Sequence, residues 1–148
     1  MATALQVTAI LDEVLRLKRG TARDAAQFLR RGGILPSTPG IPAQLAGIDI
    51  AHLLLSIILN VRCSKDSPSI VSDYSTMPAI AGGATFGETL ANFIRHPEDL
   101  FEVVIDGNSP AATLTYRAAD HGIRTISFEV RERRPRPRAR PGRAVRLR

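Results

Sequence analysis

The chain has 148 residues, enough for one ordinary domain or two very small ones. With 44% apolar and 23% charged residues it has the composition of a soluble globular protein, and with five Phe, two Tyr and no Trp its core must be built mainly from Leu, Ile, Val and Ala. A single cysteine, Cys63, excludes an intrachain disulfide and a cysteine-rich zinc site and fits a reducing cytoplasm.

Residues 4–19 place Val7, Ile10, Leu11, Val14 and Leu17 on one helical face. Arg16, Lys18 and Arg19 fall in the last turn, where cations suit the helix dipole, and Gly20 is placed to end the helix. Thr21, with Asp24 three residues on, reads as the cap of a second helix over Ala22–Arg31, stopped by Gly32-Gly33. The proline-rich run ILPSTPGIP (34–42) is a stiff loop. A third helix over 47–62 is apolar nearly all round, which makes it the central element of this half. Its apolar run, 48–61, contains Asp49 and His52 and is too short to span a bilayer. The start, MATALQVTAILDEV, lacks the features of a signal peptide.

Residues 64–84 mix Ser, Pro, Asp and Gly without a period and read as a connector. TFGE (85–88) is a capping box opening a helix that presents Phe86, Leu90, Phe93 and Ile94 and ends before Pro97. LFEVVI (100–105), ATLTY (112–116) and IRTISFEV (123–130) read as strands separated by the turns DGNS and AADHG. Ala112, Leu114 and Tyr116 share one face, as do Ile126, Phe128 and Val130. The result is a three-stranded antiparallel meander whose outer strands, LFEVVI and IRTISFEV, offer edges for pairing with a second copy.

Catalytic chemistry finds little support. GGATFGET (82–89) has the glycine spacing of a phosphate-binding loop, but Glu88 stands where lysine is needed, and the capping box accounts for Thr85 and Glu88 without a ligand. The histidines, His52, His96 and His121, lie on three distant segments, and no framed nucleophile is present. The expectation is a non-enzymatic protein with no cofactor and no metal.

The net charge of +6 comes from the ends. Residues 131–148, RERRPRPRARPGRAVRLR, hold nine arginines and one acid, a charge of +8. The arginines are Arg131, Arg133, Arg134, Arg136, Arg138, Arg140, Arg143, Arg146 and Arg148. Residues 1–31 carry +3, with Lys18, Arg19, Arg23, Arg30 and Arg31 among their cations, whereas residues 32–130 carry −5. Three prolines and self-repulsion make the tail disordered by composition. Arginine holds phosphate oxygens bidentately and stacks on bases, so the tail is suited to tracking a phosphate backbone. A solubilising end is the alternative.

The two short helices with Lys18, Arg19, Arg23, Arg30 and Arg31 along their seam resemble a helix-turn-helix core. FLRRGGILP, a Pro/Gly loop and an apolar helix together resemble the MerR-type winged-helix regulators over residues 21–62. That resemblance implies that Arg23, Arg30 and Arg31 face DNA; a plain three-helix bundle with solvated arginines is the alternative. Ala- and Arg-rich, compact and without enzyme motifs, the chain also resembles small phage or prophage proteins in style.

The sequence thus predicts an α+β protein. A helix-turn-helix-like three-helix region forms residues 1–63, a connector follows over 64–84, a helix and meander form 85–130, and 131–148 is a basic tail. The partner is nucleic acid, DNA rather than RNA, with no membrane, and the protein is cytoplasmic. It reads as a DNA-binding regulator or packaging accessory. The rival is a structural or assembly protein of a phage particle or other complex, forming dimers or higher oligomers through its sheet edge.

Overall fold

The computed structural model describes residues 2–37, 44–61, 65–130 and 144–147. The protein is α+β, and its chain divides into two compact units, residues 1–72 and 73–148.

The first unit holds β1 (Ala2–Thr3), α1 (Ala4–Val14), α2 (Thr21–Arg31), β2 (Gln44–Leu45), α3 (Gly47–Ile58) and the start of α4 (Ser67–Ser75). β1 and β2 pair antiparallel, Ala2 opposite Leu45, a contact the sequence did not announce. Thr3 and Gln6 form a reciprocal capping box that opens α1.

α1 is shorter than its periodicity suggests. It stops at Val14 rather than continuing to Arg19, and Arg16 takes the left-handed conformation at φ 52°. The Leu17 N–H donates to the Asp12 carbonyl at 2.8 Å and the Arg16 N–H to that of Glu13 at 3.2 Å, so the helix closes in a Schellman motif. The same motif closes α2 at Gly33 and α3 at Asn60, which is why α3 ends at Ile58, four residues short of the predicted end at 62. Glycine and asparagine are at home there, but arginine is not. The left-handed conformation costs an ordinary residue roughly 1–2 kcal/mol, and glycine's greater unfolded-state freedom takes back roughly 0.5–1 kcal/mol. Arg16→Gly will therefore stabilise the protein by about 0.5–1 kcal/mol. The check is a higher urea midpoint at unchanged slope.

Because α1 ends early, Gly20 does not terminate it. Gly20 is instead the cap position of α2, at φ 90° and with no side chain to offer, and Thr21 is already helical. The cap comes from α1: Asp12 accepts the Gly20 N–H at 2.8 Å and the Ala22 N–H at 2.9 Å. Asp12 thereby ties the first two helices together.

α2 buries Ala22, Ala25, Ala26 and Leu29, and it, rather than α3, makes the extensive contacts with both other helices. The alanines are what permit neighbours on this face to approach closely. Beyond α2, Gly32 lies so tightly against the Pro68 ring that a Cβ there would collide with it. On α1, Val7 is buried as expected, but Ile10 and Val14 are 56% and 70% exposed, so the apolar face extends past what the first unit covers.

The second unit contains the end of α4, α5 (Phe86–Arg95), β3 (Leu100–Asp106), β4 (Ala111–Arg117), β5 (Ile123–Glu129) and β6 (Ala144–Leu147). Residues 64–84, read from the sequence as a connector, contain α4. Tyr74, near its end, is buried and donates its hydroxyl to the Asp106 carbonyl. Burial and the nearby Asp106 and Asp73 push its pKa up to about 12. The Thr85–Glu88 capping box forms as the sequence requires, with Glu88 accepting the Thr85 N–H at 2.9 Å.

The sheet order is β5-β4-β3-β6, all antiparallel. Phe86 and Phe128 meet at 5.3 Å between ring centroids, as do Phe93 and Tyr116. Val103, Ile105, Leu114 and Leu90 complete the core under α5. β6 lies within the Arg-rich tail, where the composition predicts disorder; residues 131–143 and 148 lie outside the described residues. β6 also takes the outer edge of β3 along Val103–Asp106, which corrects the expectation of a free LFEVVI edge for that half of the strand. At the other edge, Ile80 donates to Ser127 and Glu129 donates to Pro78, covering the end of β5. Towards Ile123 that edge carries no strand among the described residues.

Candidate nucleic-acid interface

The structure separates the cations of the first 31 residues into two groups. Lys18 and Arg19 lie exposed in the turn that joins α1 to α2. Arg23, Arg30 and Arg31 are carried by α2 itself. Arg23 belongs to both groups, because with Arg19 it lines an open groove of about 430 Å³ whose lining also includes Leu5, Ala9 and Leu17. The acids at this groove are Asp12, held by the backbone of α2, and Glu13.

At 100° per residue, the buried face of α2 is centred between Ala25 and Ala26, with Ala22 and Leu29 on the same side. Arg23 and Arg31 point away from it and are exposed, and Arg30 is half-buried at its border. The Arg31 guanidinium lies over the Phe28 ring, 5.8 Å from its centroid. Lys18, Arg19, Arg23 and Arg30 have no ion-pair partner among the described residues. Gln27, which the charge pattern did not single out, is exposed between Arg23 and Arg30.

The tail arginines fall differently. Arg146 is in β6, its backbone opposite Val104. Arg131, Arg133, Arg134, Arg136, Arg138, Arg140, Arg143 and Arg148 lie outside the described residues.

No protein family, curated protein or solved structure matches the chain. The site must therefore be judged on its own chemistry. Among the described residues no group of three or more His, Cys, Asp or Glu side chains could hold a metal ion. No helix among the described residues is long and apolar enough to cross a membrane.

His52, on α3, has a pKa lowered below 6.5 by burial, against the opposing pull of Asp49. A depressed histidine pKa means that the unfolded chain binds the proton more readily. Its contribution to stability is intact above pH 6.5 and is lost as pH falls through the window between 6.5 and the folded-state value. His52→Gln will lose less stability than the parent between about pH 7.5 and pH 5. Parallel losses in urea titrations of the two proteins would refute this.

Proposed function

We propose that the protein is a non-enzymatic nucleic-acid-binding protein, with DNA as its partner in preference to RNA, acting in the cytoplasm as a small regulator or packaging accessory of phage or prophage type. The observation that carries this reading is the set of cations on and beside α2 that have no ion-pair partner among the described residues. Surface arginines left without ion-pair partners are available to phosphate, and the nine arginines of residues 131–148 add a second, sequence-blind set. The folded part orients the protein on the duplex, and the tail adds affinity and association rate.

The experiment is binding of the full chain to random-sequence duplex DNA across a salt series. If six or more phosphates are engaged, affinity falls at least about a thousandfold between about 50 and 200 mM salt. Absence of binding at the low-salt end would end this reading.

A second reading rests on the sheet. Among the described residues no strand lies beside the β5 edge near Ile123, and Ile123 itself is 69% exposed. That edge suits pairing with a second copy in an assembly protein whose tail meets an acidic partner or packaged genome. Stable oligomers combined with weak, sequence-blind DNA binding would favour it.

A further inference from the structure

Resting on the reading of the protein as a DNA binder, we infer that the stripe Arg23–Gln27–Arg30–Arg31 of α2, exposed except at half-buried Arg30, reads duplex DNA, with Gln27 contacting a base edge and the arginines holding flanking phosphates. The residues recur at spacings of four, three and one, so they form one ribbon on the side opposite Ala22, Ala25, Ala26 and Leu29. Eleven residues make a helix about 16 Å long, and Arg23 and Arg30 are about 10 Å apart along its axis. A major groove about 12 Å wide admits such a helix, with phosphates on either side within reach of arginine.

The chemistry of the stripe is divided. Arginine offers only donors, which suits phosphates and guanine. Gln27 offers a donor and an acceptor side by side, the complement of the adenine N6/N7 edge. Gln27 makes no hydrogen bond or ionic contact among the described residues, so its amide is uncommitted. Lying between cations, it is brought to the groove by their attraction to the backbone without competing for phosphate itself.

Two further features fit a reading face. Asp24 is exposed on one flank of the stripe and repels phosphate there, which biases how the helix can lie in the groove. The helix is also fixed at both ends, by Asp12 at its start and by the Gly33 turn at its finish. It is thus ordered before binding, and little conformational freedom is lost on contact. Arg31 is placed in advance by the Phe28 ring. Phosphate contacts carry no sequence information, so sequence preference has to come from a surface such as this one.

The test starts from enrichment of a random duplex library on the full-length protein at about physiological salt, then compares the enriched duplex with a scrambled one. The parent protein is expected to enrich an adenine-containing motif. Gln27→Ala should cut the preference for that motif by about tenfold or more while leaving scrambled-duplex affinity and salt slope unchanged. Arg23→Ala and Arg30→Ala should each lower the salt slope by about 0.9 on both duplexes. All three positions lie outside the buried core, and melting curves check that the fold is retained. A Gln27→Ala protein that keeps the parental preference overturns the assignment of Gln27. A parent that binds every duplex equally overturns the reading face while leaving DNA binding in place. A parent that binds no duplex even at low salt overturns the functional reading itself, and this inference with it.

Discussion

Removing residues 131–148 will flatten the salt dependence of DNA binding. Nine arginines leave with that segment. Each phosphate contact contributes about 0.9 to the slope of log affinity against log salt, so engagement of six to nine of them corresponds to a change of about 5 to 8. What remains is the set on and near α2, Lys18, Arg19, Arg23, Arg30 and Arg31, and a chain ending at Val130 should still bind with the shallower slope those five can support. The truncation has a second consequence, because it removes β6 and uncovers the edge of β3. Self-association of the truncated protein is expected to rise, since an unpaired strand edge is a template for another chain. Replacing the seven arginines between 131 and 143 by glutamine, with residues 144–148 kept, separates the two effects. That variant should lose most of the slope and remain no more associated than the parent by light scattering. An unchanged slope would mean that the tail does not touch DNA. Complete loss of binding on truncation would mean that α2 is not a contact surface, and the folded part would then serve assembly.

Phe86→Ala will unfold most of the second unit or leave it barely stable. Phe86 is fully buried at the first position of α5, and its ring packs on Phe128 from β5 at 5.3 Å. The ring therefore joins the helix to the strand farthest from β6 in the sheet order. Truncating a buried phenylalanine costs about 3–5 kcal/mol, because transfer energy is lost and a cavity is left. Domains of this size have about 5–15 kcal/mol in total. A loss of 3 kcal/mol lowers the melting temperature by about 12 °C or more. Phe86→Leu, which fills most of the space, should cost less than half as much. Phe101→Ala is the control, since that ring is 39% exposed. Equal melting of Phe86→Ala and Phe101→Ala would show that the helix–sheet contact is not what holds the unit together.

Much of the candidate site was legible, and its limits have physical causes. The cations of residues 18–31 announced themselves because charge is visible without knowing a fold. Gln27 did not, because a neutral side chain acquires meaning only when the phase of its helix is known, and that phase is set by which alanines are buried. The end of α1 was misread for a related reason. Periodicity continued to Leu17, but Asp12 gains two backbone hydrogen bonds from α2 only if the chain turns at Arg16, so a tertiary contact outweighed a local preference. α4 was hidden by its Ser, Pro and Asp content, although Pro68 suits a first helical turn and Val71 and Tyr74 are both buried.

The sequence by itself determined α2, α5 with its Thr85–Glu88 cap, and the β3-β4-β5 meander. In each case the decisive signals, a cap, an alternation or a turn, lie within a few residues of the element they specify. Only the tertiary structure decided where α1 stops, what caps α2, which edge of the sheet is covered, and which side of α2 faces outwards. Those outcomes depend on residues far apart in the chain meeting at bonding distance: Asp12 with Gly20 and Ala22, Leu45 with Ala2, and Leu147 with Val103. Such meetings are settled by packing and hydrogen-bond satisfaction across the whole unit, which no local pattern encodes.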